Sequence, residues 1–86
     1  MTAETRCLGS TAYVAVRARN VGDAPLDVRL ETAFGSRDAV EVRPGASAYQ
    51  SFSTRASTVE AGSATVTATG GGRTAVVADY AARDCG

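Results

Sequence analysis

From Tyr13 onward the chain alternates: Val14, Val16 and Ala18 fall on one side of an extended backbone, and Tyr13, Ala15, Arg17 and Arg19 on the other. A period of two marks a half-buried strand, because successive side chains leave a pleated backbone on opposite faces. Asn20, Gly22, Asp23 and Pro25 then punctuate a loop: Asn and Gly tolerate positive φ, and Pro cannot donate to a strand ladder. The alternation resumes with Leu26, Val28, Leu30, Thr32 and Phe34 on the expected inner face and Asp27, Arg29 and Glu31 outside. Gly35-Ser36 reads as the next turn, followed by Val40 and Val42 facing in and Glu41 facing out. Arg43-Pro44-Gly45 predicts a type II turn, with Pro presetting φ at one central position and Gly allowing positive φ at the next.

Ala48 to Thr54 predicts another strand, with Ala48, Gln50 and Phe52 on one face and Tyr49, Ser51 and Ser53 on the other. Residues 55–62 are the longest irregular stretch, where Thr58 is a candidate cap for a single helical turn but nothing supports a full helix. Ala64, Val66 and Ala68 then alternate with Thr65, Thr67 and Thr69. Gly70-Gly71-Gly72 connects this strand to a last one over Arg73 to Ala81. Its core face is expected to be Thr74, Val76, Ala78 and Tyr80, since the other face would bury Asp79. Ahead of all this, Thr5 to Leu8 forms a weaker lead-in strand that ends at Gly9-Ser10.

About seven short strands with turn signals every 8 to 12 residues or so, and no helical period, predict an antiparallel immunoglobulin-like β-sandwich occupying residues 1–86 as one domain. No tryptophan and no central cysteine pair are present, so the antibody-type version is excluded. The six-residue connection holding Pro25 fits a crossing between sheets better than a tight hairpin. Val14, Val16 and Ala18 are therefore expected to face Val28, Leu30 and Thr32 across the core.

Composition narrows the picture. A chain of 86 residues buries only about 60% of the surface it exposes when unfolded, and here the apolar share is mostly Ala and Val. Nine basic and nine acidic residues cancel, so no field draws the domain to nucleic acid or anionic lipid, and neither is expected as a partner. No apolar run reaches the 18 or so residues of a membrane helix. All the basic residues are Arg, and heavy use of Ala, Arg, Gly and Val is associated with GC-rich coding.

Cys7 and Cys85 are the only cysteines. A bridge between them would close nearly the whole chain and contribute about 4–5 kcal/mol in the chain-entropy model. The alternative is two unrelated buried thiols; with no His in the chain, too few ligands remain for a zinc site. A structural disulfide implies an oxidising, extracellular compartment, yet residues 1–12 hold neither a basic nor an apolar leader region. The expectation is a domain taken from a longer secreted protein, its leader removed and Met1 an added start.

Catalysis finds little support. Without His the Ser/His and Cys/His nucleophile arrangements are excluded, and paired cysteines leave no thiolate. Asp27 with Glu31 and Asp38 with Glu41 are the carboxylate pairs to weigh for glycosidase chemistry; a solvated strand face is the stronger reading of both. Asn20, Asp23 and Asp27 bracket a loop that could be weighed for calcium, but the dense acidic spacing that Ca²⁺ favours is missing, and no cofactor is expected. Tyr13 shares its outward face with Arg17 and Arg19, and Tyr49 neighbours Ser51, Ser53 and Gln50. Tyr13, Arg17, Tyr49 and Gln50 are accordingly the candidate ligand-contact residues, of the kind that stack on sugar rings and hydrogen-bond hydroxyls. The competing reading has Tyr13, Tyr49 and Tyr80 covering sheet edges and core ends, their hydroxyls reaching water or backbone.

The segments RCLGSTAYVAVRARN, APLDVRLETAFGSR, RPGASAYQSFSTRA and AGSATVTATG, spanning Arg6 to Gly70, resemble the small C-terminal β-sandwich domains appended to secreted actinobacterial glycoside hydrolases, particularly arabinan- and xylan-active enzymes. Tyr13-Val14-Ala15-Val16 and Ser47-Ala48-Tyr49-Gln50-Ser51-Phe52 carry the likeness most specifically. More loosely, the N-x-G-D loop and the P-G turn resemble those of other immunoglobulin-like accessory domains. The resemblance implies a secreted, non-catalytic module whose partner is a polysaccharide or an adjacent catalytic domain, or a spacer with no ligand; a likeness at the level of fold does not choose between them.

Overall fold

A computed structural model describes residues 2–70 and 72–86. Met1, and the Gly71 at the centre of the expected glycine connection, lie outside the described residues. The strands are β1 (Thr2–Leu8), β2 (Thr11–Arg19), β3 (Leu26–Thr32), β4 (Gly35–Val42), β5 (Ser47–Ser53), β6 (Thr58–Val59), β7 (Gly62–Thr69), β8 (Arg73–Tyr80) and β9 (Arg83–Asp84). One sheet has three strands in the order β1-β2-β5, the other four in the order β4-β3-β7-β8, and β6 with β9 forms a small third pairing. Every pairing is antiparallel. The result is an immunoglobulin-like sandwich, and β2 and β3 lie in opposite sheets as the loop with Pro25 predicts.

Alternation accounts for the core. Val14, Val16 and Ala18 of β2 pack against Val28 and Leu30 of β3, joined by Phe52, Ala64, Val66 and Tyr80. Leu30, Val14 and Val16 are the largest side chains wholly withdrawn from solvent, so the centre of the core is aliphatic and small. On β8 the expected core face is covered only at its C-terminal end: Tyr80 is buried and Ala78 partly so, while Thr74 and Val76 stay exposed, as does Asp79 on the other face.

Cys7 and Cys85 are bonded, with their α-carbons 5.5 Å apart. The bond ties β1, an edge strand of the three-stranded sheet, to the chain just beyond β9. Arg83 Nε donates to Thr5 Oγ1 (3.3 Å) and Cys85 N–H to Ser57 O (2.7 Å), so the two ends of the chain are held by more than the covalent link.

Four local expectations are corrected. The turn after β3 is Ala33-Phe34, one step earlier than Gly35-Ser36, because Thr32 pairs with Gly35 and Thr32 Oγ1 accepts the Phe34 N–H (3.1 Å). Phe34 is thereby part of the turn and half exposed instead of inward. Val40 is 75% exposed, because the register of β4 on β3 shifts between Leu26 and Val28. Two residues, Val40 and Glu41, oppose Asp27 alone, and this bulge reverses the parity, so that Ala39 and Val42 face in and Val40 faces out. Finally, residues 58–59 make strand β6 in place of a helical turn, since Val59 buries its side chain and β9 supplies a partner.

Candidate functional site

The antiparallel register defines the outer face of the three-stranded sheet row by row. Arg6, Tyr13 and Ser53 stand side by side; the next row is Glu4, Ala15 and Ser51; the next is Thr2, Arg17 and Tyr49. Three of the four candidate contact residues therefore share one surface. Arg17 lies directly opposite Tyr49, and its guanidinium carbon sits 5.3 Å from the centre of the Tyr49 ring, a cation–π contact.

Gln50 does not join them. It pairs with Val16 and so lies on the inward-facing side of β5, its Nε2 donating to Ser51 O at 2.9 Å. The cause is the period of two: residues 49 and 50 leave the backbone on opposite faces, so no surface contact can use both.

Sequence reasoning missed Glu4, because the lead-in strand was expected to start at Thr5, and Arg6, because so short a strand was given no faces. The signal was present in the alternation of Thr2, Glu4, Arg6 and Leu8 against Ala3, Thr5 and Cys7. Arg6 Nε donates to Glu4 Oε1 at 3.0 Å, and a second guanidinium nitrogen closes the pair. The Arg6 guanidinium is held above its ordinary pKa, first by that hydrogen bond to Glu4 and then by the Glu4 charge. Ala15 points to this same face and is only 3% exposed. The face is polar and aromatic, with Ala15 as a small residue at its centre.

The remaining candidates have structural roles. Asn20 is buried: its Nδ2 donates to Ala24 O and Val42 O (both 2.8 Å), and its Oδ1 accepts the Gly22 N–H at 2.9 Å. Its backbone N–H donates to Ala46 O and its carbonyl accepts from Gly45, so this residue knits the β2–β3 loop to the β4–β5 turn. That turn has Ala46 N–H donating to Arg43 O and Gly45 at φ +81°, the value a type II turn requires. Asp27 Oδ1 accepts the Glu41 N–H at 3.0 Å and so holds the bulge. Arg29 bridges Glu31 (3.1 Å) and Asp38 (3.5 Å) on the outer face of the four-stranded sheet. The acidic residues weighed for acid–base chemistry are thus spread along an exposed ion-pair ladder and a backbone bond. Among the described residues, no cluster of three or more acidic, Cys or His side chains could hold a metal ion, and no helix is long and apolar enough to cross a membrane.

An open groove of about 510 Å³ lies between the sheets at the Asn20 end, lined by Ala18, Leu26, Val66, Ala68 and Val76 among others. Its walls are mostly apolar, with Arg19, Asn20 and Thr74 as the polar exceptions, and it lies between the sheets, apart from the Tyr13–Arg17–Tyr49 face. No protein-family model, curated protein or solved structure matches the chain.

Proposed function

We propose that the chain is a non-catalytic accessory module of a secreted polysaccharide-degrading enzyme, which contacts glycan through the outer face of its three-stranded sheet. The observation that carries this reading is the gathering of Tyr13, Arg17 and Tyr49 on one face of the sheet, flanked by Glu4 and Arg6. Aromatic rings with charged hydrogen-bonding groups beside them suit the extended, hydroxyl-rich face of a polysaccharide chain. The Cys7–Cys85 bond fits an oxidising compartment outside the cell.

Affinity electrophoresis through gels containing arabinan or xylan, with pull-down on insoluble chitin, tests the glycan contact. Retention on one of these polymers that falls at least tenfold in Tyr49→Ala, and less in Arg17→Ala, is the expected outcome. Migration unaffected by every polymer would remove the glycan part of the proposal.

A second reading, a spacer that stabilises its neighbour and binds nothing, draws on the position of the Arg17 guanidinium over the Tyr49 ring. A ring face already covered by a cation is not free for a sugar. Joining the module to a catalytic domain and then deleting it separates the two: lost thermal stability with unchanged substrate retention identifies the spacer.

A further inference from the structure

Strand β8 is an edge of the four-stranded sheet and is paired on one side only, by β7. That pairing runs unbroken over eight positions, from Arg73 opposite Thr69 to Tyr80 opposite Gly62. Thr74 to Ala78 carry no charge, proline or bulge, and Val76 and Val77 are 46% and 62% exposed on the two faces of the strand. Such an edge is a template for another strand. Two of the three other edges carry blunting features: β4 has its bulge with Arg37, Asp38 and Glu41, and β1 has Glu4, Arg6 and the disulfide. The third, β5, carries no charge from Ser47 to Ser53 and so has no pair of opposite charges to fix a register with a second copy.

The geometry points to a second copy of this chain as the occupant, joined by antiparallel β8–β8 pairing about a two-fold axis perpendicular to the sheet at Val76. An antiparallel two-fold pairing that keeps inner faces inner must match residues of the same parity. Centred on Val76, the register sets Val76 against itself, Ala75 against Val77, Thr74 against Ala78 and Arg73 against Asp79. Both Arg73 and Asp79 are exposed, and neither makes an ion pair among the described residues. The symmetric pairing forms that ion pair twice, once at each end. Centring on Val77 would instead set Asp79 against Ala75 and leave the charges unmatched. The chosen register also brings the two Val76 side chains together at the rim of the apolar groove, extending one covered surface across the dimer. Two four-stranded sheets become one of eight strands. This inference stands independently of any glycan contact.

Sedimentation equilibrium on the whole chain, over a wide concentration range, tests it. A reversible monomer–dimer equilibrium is expected. Reversing one charge, in Arg73→Asp or in Asp79→Arg, places like charges opposite each other twice and should weaken dimerisation roughly tenfold or more. The double variant Arg73→Asp/Asp79→Arg should restore it, and Val76→Lys should abolish it. All three positions are solvent-exposed, and circular dichroism verifies that each of the four variants keeps the fold. A chain that stays monomeric at every concentration overturns the proposal. So does a dimer indifferent to the single reversals, or one that the double variant fails to restore.

Discussion

At the scale of single residues, Asn20 carries more of the fold than its sequence context announces. Asn followed by Val-Gly-Asp reads as ordinary turn chemistry, or as an oxygen ligand beside Asp23 and Asp27. The structure turns the carboxamide inward, where it serves two carbonyls and one N–H. The alternative was invisible because Val42, the more distant partner, is 22 residues away and nothing local encodes the meeting. Asn20→Ala leaves the Val42 and Ala24 carbonyls without their donor, and each buried orphan costs about 1–3 kcal/mol. A loss of roughly 2–4 kcal/mol in urea unfolding is expected, a large part of the stability of a small domain. Asp23→Ala, exposed in the same loop, should change stability by no more than about 0.5 kcal/mol. Equal losses in the two variants would contradict the role assigned to Asn20.

At the scale of elements, binary patterning located the major strands and most inward faces, and it failed where the chain departs from strict alternation. Parity was legible along β2 from Val14 to Ala18 and along β7 from Ala64 to Ala68, because no bulge interrupts those pairings. It broke in β4, where the added residue sends Val40 outward. Bulges are hard to read when the residue at positive φ is not glycine, and here it is Glu41, at φ +52°. A left-handed conformation costs a non-glycine residue about 1–2 kcal/mol, whereas glycine loses roughly 0.5–1 kcal/mol of chain entropy on folding. Glu41→Gly keeps the N–H that Asp27 accepts and should raise stability by up to about 1 kcal/mol. A denaturant midpoint that falls in this variant, at unchanged m, would show that the bulge is not strained. The same reasoning explains the outer face of the three-stranded sheet: Tyr13, Arg17 and Tyr49 were brought together by register that alternation foreshadowed, and Gln50 was excluded by that same alternation.

At the scale of the whole molecule, the two ends of the sandwich are held by different means. Asn20 and the type II turn knit the chain at the end that opens into the apolar groove, while the Cys7–Cys85 bond, the β6–β9 pairing and the buried Tyr80 and Val59 close the other. The pairing of the cysteines was legible because they are the only two and lie near the chain ends; the short strands beside them were not, because two-residue strands carry no period. A crosslink spanning 78 positions restricts mainly the unfolded chain, by about 4–5 kcal/mol in the entropy model. Cys7→Ser/Cys85→Ser should therefore unfold at much lower urea concentration and with a steeper m, since the unlinked denatured chain exposes more surface. Native-state hydrogen exchange adds a spatial readout. Amides of β1, β6 and β9 should lose protection first, whereas those of β3 and β7, central in the four-stranded sheet, should track global unfolding. If protection instead fell evenly across all strands, the bond would act on the unfolded ensemble alone, and the closure of that end would rest on Thr5, Arg83 and the β6–β9 pair without covalent help.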